Sequence, residues 1–567
     1  MSAAQNRRLP KLIIVILIIF VAAISLILAI LGKGGPTRKR VVLSDYYKAE
    51  EGSAAIIVNG TLSEVRAVIR NSQPYVKLGL LTDEINPDFY YEASSSRLLY
   101  TDAEKVVAAT SDQLHNGAPI FYDSADEKSE LSLDERILVQ LPYVAQYTDI
   151  HVDYYTTPSR VFIRSRFGEC RMANAVSGAC IRTGASGSSK VLAELSGDEE
   201  LWVISEETGW AQVYAAGSLG VSGYLTHEEL SDFRTVTEAD PYAAPAYTHM
   251  LKDQEICLIW HQVFSDSGVN SLPGLLSNTD GANVLSPTWF SVTDSDGTIT
   301  SRANEEYVSI AHNSGMDIWA LVENFNTDNK LDYSRLLGTE SSRSRMVDTL
   351  ISSALKYDLD GINVDFEGLP REAGAGYVQF IRELSIACRK QGIVLSVDCY
   401  VPSAWTAHYH RDQLAKTVDY IIVMAYDEHY DGSDAGSTSS LSFVKDGIDN
   451  TIAAGVPAER LIPAIPFYSR LWKGEGVTLK SSTINMEDMK DRFNKAEEGA
   501  VWDDTLGQYY IEQTEDGVLT RLWVEDGRSL TAKLNVISGY DVAGIACWKL
   551  GMENSEAWEA INTYLEK

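Results

Sequence analysis

The chain has 567 residues, of which 45% are hydrophobic and 10% aromatic. It is therefore too long for one compact domain and too apolar to be disordered throughout. A formal net charge of −31 excludes nucleic acid as an expected partner, because phosphate binding requires a basic surface. The six cysteines show no CxxC or zinc-ligand spacing, so the sequence predicts neither a metal site nor a cofactor.

The N-terminal segment contains a run of 20 residues without a charge, residues 12–31. This length suffices to cross a hydrocarbon core, and it exceeds the roughly 7 to 15 apolar residues of a secretory signal. We expect residues 1–11 to form a cytoplasmic tail and residues 12–31 to form an uncleaved, single-pass transmembrane anchor in the cell membrane. Basic residues flank both ends of the run, so the positive-inside rule does not decide its orientation.

Residues 43–165 alternate short apolar runs with turn signals, such as residues 56–58 followed by Asn59-Gly60. This pattern predicts a small α+β domain without an acid-base or metal constellation. Its spacing resembles the N-terminal domain of copper amine oxidases, which recurs in many bacterial surface proteins. The resemblance implies no copper in this chain.

Residues 175–232 form a series of short strand-like runs. The aromatic Trp210 and the Gly223-Tyr224 pair give this region a resemblance to bacterial SH3-like barrels. Such modules often bind cell-wall peptide. The sequence favours equally an alternative in which the region is a small β-barrel that serves only as a spacer.

Residues 253–567 carry eight apolar runs separated by helix-sized intervals, the alternation that indicates a parallel sheet. Eight such units predict a (β/α)₈ TIM barrel. The longest interval, residues 468–541, is expected to form an insertion beside the active-site face. The eight runs are residues 256–260, 283–286, 317–322, 361–366, 394–399, 420–425, 461–465 and 543–548.

Polar and apolar side chains alternate along the fourth run and into the residue that follows it. Asn363, Asp365 and Glu367 share one face, and the residues between them are apolar. In a barrel strand the polar face would point into the lumen, where unpaired polar groups are costly. The row ends at the carboxyl-terminal rim, where barrel active sites lie. The sequence therefore predicts a catalytic site with Glu367 at its tip.

The same segment resembles the signature DxxDxDxE of glycoside hydrolase family 18, the chitinase-like family. Tyr426 and Asp427 at the sixth run and Trp548 at the end of the eighth extend the resemblance across the barrel. The form DGINVDFE is similar to the variant in spore-cortex and cell-wall hydrolases. The four signature positions are occupied by Asp360, Asn363, Asp365 and Glu367.

The resemblance implies a role for each residue. Glu367 would protonate the leaving oxygen and then act as base, while Asp365 would hold the acetamido N–H of the sugar and offset developing positive charge. Tyr426 would steady the acetamido oxygen, Asp427 would contact a hydroxyl, and Trp548 would form an apolar floor.

Position 363 departs from the family, because many chitinases carry Asp where this chain has Asn363. We expect Asn363 to belong to the substrate-binding part of the site and to donate a hydrogen bond to Asp365. Asp360 falls on the opposite face and is expected to be structural. For Asn324, after the third run, functional and structural roles are equally open.

These features together predict a retaining glycosidase that cleaves β-1,4 bonds after N-acetylglucosamine in an extracellular polysaccharide. Peptidoglycan is the expected substrate because of the anchor and the SH3-like region, and it would place the C-terminal domains outside the cell. Chitin or chito-oligosaccharide is the alternative substrate. A non-catalytic, lectin-like wall protein on the same fold is the alternative function.

Overall fold

The computed structural model describes residues 36–110, 120–122, 132–265, 267–325, 330–496 and 499–566. The chain divides into two compact units, one of residues 1–86 and 112–243 and the other of residues 87–111 and 244–567. The predicted tail and anchor, residues 1–31, lie outside the described residues. Within the described ranges, no helix is both long and apolar enough to cross a membrane.

The first unit begins with a seven-stranded sheet. Its strands are antiparallel except for Ser53–Val58 and Ser159–Arg164, which pair in parallel. Short helices Leu43–Tyr47, Leu133–Arg136 and Leu141–Val144 accompany it, as expected for an α+β fold. The strands, in sheet order, are Ile120–Tyr122, Ile137–Gln140, Gln73–Lys77, Thr61–Arg70, Ser53–Val58, Ser159–Arg164 and His151–Thr156.

A second seven-stranded antiparallel sheet completes this unit. It encloses a small core to which Ile181, Val213 and Leu225 contribute. Cys170 and Cys180 are both free thiols. The likeness of this sheet to an SH3 barrel stays a prediction. Its strands, in chain order, are Gly168–Ala175, Cys180–Arg182, Val191–Glu194, Glu200–Glu207, Trp210–Ala215, Val221–Thr226 and Leu230–Glu238.

The second unit contains a closed barrel of eight parallel strands, which confirms the predicted TIM barrel. The first strand pairs with both the second and the eighth, so the sheet closes on itself. All eight strands overlap the apolar runs identified in the sequence. The barrel strands β1 to β8 are Ile256–His261, Val284–Val292, Asp317–Glu323, Gly361–Asp365, Val394–Tyr400, Tyr420–Met424, Leu461–Pro466 and Gly544–Trp548.

Side-chain alternation divides the barrel into two cores. Ile362 and Val364 of β4 pack outward in the large cluster that the strands share with the helices. Leu321 of β3 and Ile422 of β6 belong to a separate cluster inside the lumen. The polar residues that alternate with Ile362 and Val364 therefore point into the lumen, as the sequence pattern predicts.

Helices surround the barrel, and an antiparallel sheet follows β7 within the predicted insertion. The strands of this sheet are Tyr468–Lys473, Lys480–Asn485, Val501–Asp503, Gln508–Glu515 and Val518–Val524. The helices of seven or more residues are Ser267–Leu276, Glu305–Asn313, Glu340–Tyr357, Gly374–Gln391, Arg411–Thr417, Leu441–Ala453, Met486–Ala496, Gly527–Ile537 and Ser555–Leu565.

Residues 87–111 belong to the barrel unit, although the sequence pattern assigns them to the domain of residues 43–165. They form a sheet of three strands, Phe89–Glu92, Arg97–Thr101 and Val106–Thr110. The fully buried Arg343 donates to Glu92 at 3.2 Å and to Glu383 at 3.0 Å. This buried ion network ties the sheet to two barrel helices, a long-range contact that local sequence patterns do not encode.

We expect Arg343→Met to lower the free energy of unfolding by about 3–5 kcal/mol, because it leaves the buried Glu92 without one of its cationic partners. Chemical denaturation of the purified protein measures the loss. Arg335→Met is the matched control, since Arg335 is exposed and its pair with Asp296 should contribute less than about 1 kcal/mol. Equal losses in the two variants would contradict a stabilising role for the network.

Candidate active site

A cavity of about 1490 Å³ opens at the carboxyl-terminal ends of the barrel strands. Its lining includes Asp365 and Glu367 from the end of β4, Tyr400 from β5, Tyr426 after β6 and Trp548 from β8. The cavity is also lined by Asp427, so the fold brings five of the six predicted site residues into one cleft. This is the rim at which barrel enzymes place their catalytic groups.

The backbone of Glu367 is held on both sides by one amide side chain. Asn324 accepts from the Glu367 N–H at 2.9 Å and donates to the Glu367 carbonyl at 2.8 Å. Its Nδ2 also donates to the Tyr333 hydroxyl at 2.7 Å. Asn324 thus fixes the loop that carries Glu367. The sequence leaves open whether Asn324 is functional or structural, and these contacts give it the role of positioning Glu367.

The Glu367 carboxyl is partly buried and hydrogen-bonds the Tyr400 hydroxyl. Burial raises the pKa of Glu367 above its ordinary value, the Tyr400 hydrogen bond opposes this rise, and the charge of Asp427 adds to it. A carboxyl with a raised pKa keeps its proton closer to neutral pH, which is the requirement for a general acid.

Asp365 lies two residues deeper on the same face, and only 6% of its surface is exposed. Its Oδ1 is buried and has no hydrogen-bond partner among the described residues. Burial, followed by the charges of Glu367, Asp398 and Glu323, raises its pKa well above the ordinary value. Asp365 therefore offers an acceptor that the protein itself does not satisfy, at the wall of the cleft.

Asn363 is fully buried and does not line the cavity. The expected hydrogen bond to Asp365 is absent, because other lumen residues at the same depth occupy all four hydrogen-bonding positions of the amide. The Oδ1 accepts at 2.9 and 3.2 Å, and the Nδ2 donates at 3.0 and 2.7 Å. The partners are, in that order, Trp260, Ser286, Ser396 and Asp398.

Tyr426 and Asp427 follow β6, which lies across the barrel from β2, and both line the cleft. The Asp427 carboxylate accepts from the Tyr468 hydroxyl at 2.8 Å and from the Arg470 guanidinium at 2.9 Å. These two hydrogen bonds hold the Asp427 carboxylate in place. The Tyr426 hydroxyl has no hydrogen-bond partner among the described residues, which leaves it available to a ligand.

Trp548 supplies an apolar surface at the end of β8. Its ring lies 5.7 Å from that of Trp260, centroid to centroid, with an interplanar angle of 54°. Trp260 is fully buried and packs against Trp548. The predicted floor residue therefore lies in the cleft.

The sequence interpretation missed Asp398 and Tyr400 on β5. Leu395, Val397 and Cys399 pack in the outer core, so the residues that alternate with them face the lumen. The alternation that reveals the polar face of β4 is also present in the β5 segment, VLSVDCY. That segment lacks a family signature to draw attention to it.

Asp360 lies at the start of β4, away from the cleft. Its Oδ2 accepts from the Ile318 N–H at 2.8 Å and from His312 Nε2 at 2.9 Å. It joins the ends of neighbouring elements, as expected of a structural residue.

Together, the barrel, the open cleft and a raised-pKa carboxyl beside a second buried carboxyl define a hydrolase site of the acid-base type. Residues 267–553 match the family Glycosyl hydrolases family 18, and the chain belongs to that family. It is a glycosidase.

Curated relatives match through the barrel. The chain is 27% identical over 287 residues to the uncharacterized glycosylase YvbX of Bacillus subtilis, covering 47% of this chain and 80% of that protein. It is 25% identical over 235 residues to the cortical fragment-lytic enzyme of the same organism, covering 39% and 54%. The chain thus spans about half the length of that second relative.

Solved structures share the barrel fold. A chitinase from Chromobacterium violaceum matches with a TM-score of 0.50 and 21% identity, over 55% of this chain and 99% of that one. The Bacillus cereus spore cortex-lytic enzyme SleL also matches with a TM-score of 0.50, at 19% identity, over 56% and 76%. At these identities the likeness shows the fold alone.

We expect Tyr400→Phe to shift the alkaline limb of the pH dependence of kcat/KM to higher pH. The Tyr400 hydrogen bond lowers the pKa of Glu367, so its loss lets Glu367 keep the proton to a higher pH. Initial rates on a glycan substrate across pH measure the shift. Tyr430→Phe, at an exposed tyrosine of the cleft rim, is the control and should leave the limb in place.

Proposed function

We propose that the chain is a retaining glycosidase that cleaves β-1,4 bonds after N-acetylglucosamine with assistance from the acetamido group of the sugar. One observation carries this proposal above all. The buried Oδ1 of Asp365 has no hydrogen-bond partner in the described part of the chain, and Asp365 lies in the wall of the cleft two residues from Glu367. An acetamido N–H would supply the missing hydrogen-bond donor.

In the first step Glu367 gives its proton to the glycosidic oxygen as the bond from that oxygen to the anomeric carbon breaks. The acetamido carbonyl oxygen attacks the anomeric carbon from the other face and forms an oxazolinium ion. Asp365 accepts the acetamido N–H and stabilises the positive charge, while the Tyr426 hydroxyl donates to the acetamido oxygen. Trp548 packs under the distorted sugar.

In the second step the Glu367 carboxylate takes a proton from water. The oxygen of that water bonds to the anomeric carbon, and the oxazolinium ring opens to restore the acetamido group. Two displacements at one carbon leave the β configuration unchanged. Glu367 is protonated again, ready for another cycle.

The arrangement of Asp365, Glu367 and Asp427 favours this route over one in which any of the three is the nucleophile. Asp365 and Glu367 are two residues apart and both line the cleft, so they approach a sugar from the same side. Asp427 is held by Arg470 and Tyr468. A cleft carboxylate on the opposite face of the sugar, which the two-carboxylate mechanism requires, is therefore not supplied by these groups.

Exposed aromatic side chains around the cleft suit an extended polysaccharide. Phe264, Phe325, Trp405 and Tyr430 all line the cavity, and each exposes more than half of its surface. Such rings offer stacking surfaces to successive sugars without requiring charge. Their spread along the rim supports binding of a chain on both sides of the cleaved bond.

We propose peptidoglycan as the polysaccharide. The relatives named cortical fragment-lytic enzymes support this substrate, as do the predicted SH3-like region and the apolar run of residues 12–31. The proposal includes attachment to the cell membrane by that run, with the glycosidase outside the cell. Chito-oligosaccharides are the alternative substrate, and binding without cleavage would indicate a lectin.

We expect Glu367→Gln to reduce kcat by about 10² to 10⁴-fold, the contribution of a positioned general acid, with little change in KM. Release of reducing ends from purified peptidoglycan and from chito-oligosaccharides measures it. Glu512→Gln, on an exposed strand of the insertion, is the matched control and should retain wild-type rates. Equal activity of the Glu367 variant would remove that residue from its role.

We expect the first product to be the β anomer, with N-acetylglucosamine at the new reducing end. Proton NMR of fresh product gives the configuration, and borohydride reduction followed by mass spectrometry identifies the terminal sugar. Removal of the N-acetyl groups from the substrate should abolish cleavage, because the nucleophile is lost. A product with the α configuration would contradict acetamido assistance.

A further inference from the structure

Asp398 is a buried carboxyl of β5 to which neither the sequence interpretation nor the proposed mechanism gives a role. Only 2% of its surface is exposed. Its neighbours Val397 and Cys399 belong to the outer core, so Asp398 points into the barrel lumen. Its Oδ1 accepts one hydrogen bond at 2.7 Å, from Asn363 Nδ2.

Strand register places Asp398 beside Asp365. The strands β4 and β5 pair in parallel, with Asn363 opposite Ser396 and Val364 opposite Val397. The next step along both strands brings Asp365 and Asp398 to the same height. Both face the lumen, and adjacent strands lie about 4.8 Å apart. Two carboxyl groups therefore lie side by side directly beneath Glu367.

The surroundings of Asp398 supply no compensating cation. Glu367 is the charged group that acts on its pKa, which burial raises and the Asn363 hydrogen bond lowers. The other titratable groups in its field are acids, phenols and a thiol, and no basic side chain of the described ranges acts on it. These groups are Asp365, Tyr377, Cys399 and Tyr426.

Three carboxyls in so small and dry a space cannot all ionise independently, because each charge opposes the next. The hydrogen bond to Asn363 alone does not explain an aspartate here. Ser396 accepts from the same amide group at 3.0 Å without bringing a charge. A buried carboxyl costs free energy that a neutral acceptor would avoid.

We propose that Asp398 is a positioning residue of the glycosidase, the third member of a proton-sharing cluster with Asp365 and Glu367. This inference rests on the proposed function, since it assigns Asp398 to the same reaction. Asp398 touches no substrate. Its charge, when present, holds protons on the two carboxyls above it and thereby sets the pH range in which Glu367 can act as an acid.

The variant Asp398→Asn removes the charge and retains an oxygen that can accept from Asn363. Because the Asp398 charge raises the pKa of its neighbours, its removal should lower theirs. We expect the alkaline limb of the pH dependence of kcat/KM to move to lower pH by about one unit. Carboxyl groups titrate as a pair when their interaction exceeds about one pKa unit, so removal of one charge should produce a shift of that size.

Ser396→Ala is the matched control. It removes the other acceptor of the same Asn363 amide but changes no charge. If Asp398 matters only for holding Asn363, both variants should lower activity and neither should move the limb. A shift confined to Asp398→Asn would support the electrostatic role, and an unmoved limb in an active variant would overturn it.

A titration without substrate separates this inference from the proposed function. Carboxyl carbon NMR of protein labelled at Asp and Glu follows each carboxyl, and Glu367→Gln assigns one signal. Three coupled carboxyls with raised pKa values are expected in the wild type, whether or not it cleaves glycans. An Asp398 that titrates in the ordinary range would overturn the inference even if Asp398→Asn does not fold. An inactive wild type with the coupled titration would count against the proposed function alone.

Discussion

Polar groups in the lumen of the barrel are buried, and a buried polar group is costly unless it has a hydrogen-bond partner. Asn363 satisfies this constraint completely, with four hydrogen bonds that reach β1, β2 and β5. Asp365, one step higher, does not satisfy it. Along β4, an amide with all its hydrogen bonds made is followed by a carboxyl group with an unpaired oxygen. This change separates the packed interior of the barrel from the cleft in which a ligand can bind.

Glu367 lies nearer the rim of the barrel than Asp365, and both its side chain and its backbone are held by neighbouring groups. In the proposed mechanism its side chain acts as an acid, and burial and neighbouring charge raise its pKa as that role requires. Its backbone is held by Asn324, which hydrogen-bonds both its N–H and its carbonyl. Tyr400 opposes the retention of the proton, while burial and the charge of Asp427 favour it. The acidity of the site is therefore a balance set by β3, β4, β5 and the loop after β6, rather than a property of Glu367 alone.

The sequence predicts those features of the molecule that can be identified from the residue pattern within a single strand. Alternation along β4 gives the lumen face, and eight apolar runs give the barrel. The partners of Asn363 could not be predicted, because they come from three other strands whose relative heights depend on barrel register. Asp398 illustrates the limit, since its parity is visible in the sequence but its place beside Asp365 is set by the pairing of β4 with β5.

The ion network around Arg343 bears on how the chain is made. Glu92 precedes Arg343 by 251 residues. The three-stranded sheet that contains Glu92 therefore leaves the ribosome long before the helix Glu340–Tyr357 that contains Arg343. At synthesis rates of about 5–20 residues per second, that interval is about 13–50 s. Throughout this time Glu92 stays hydrated and the edges of its sheet are available to other chains. The barrel unit is thus completed by a segment that is synthesised well before the helices it binds.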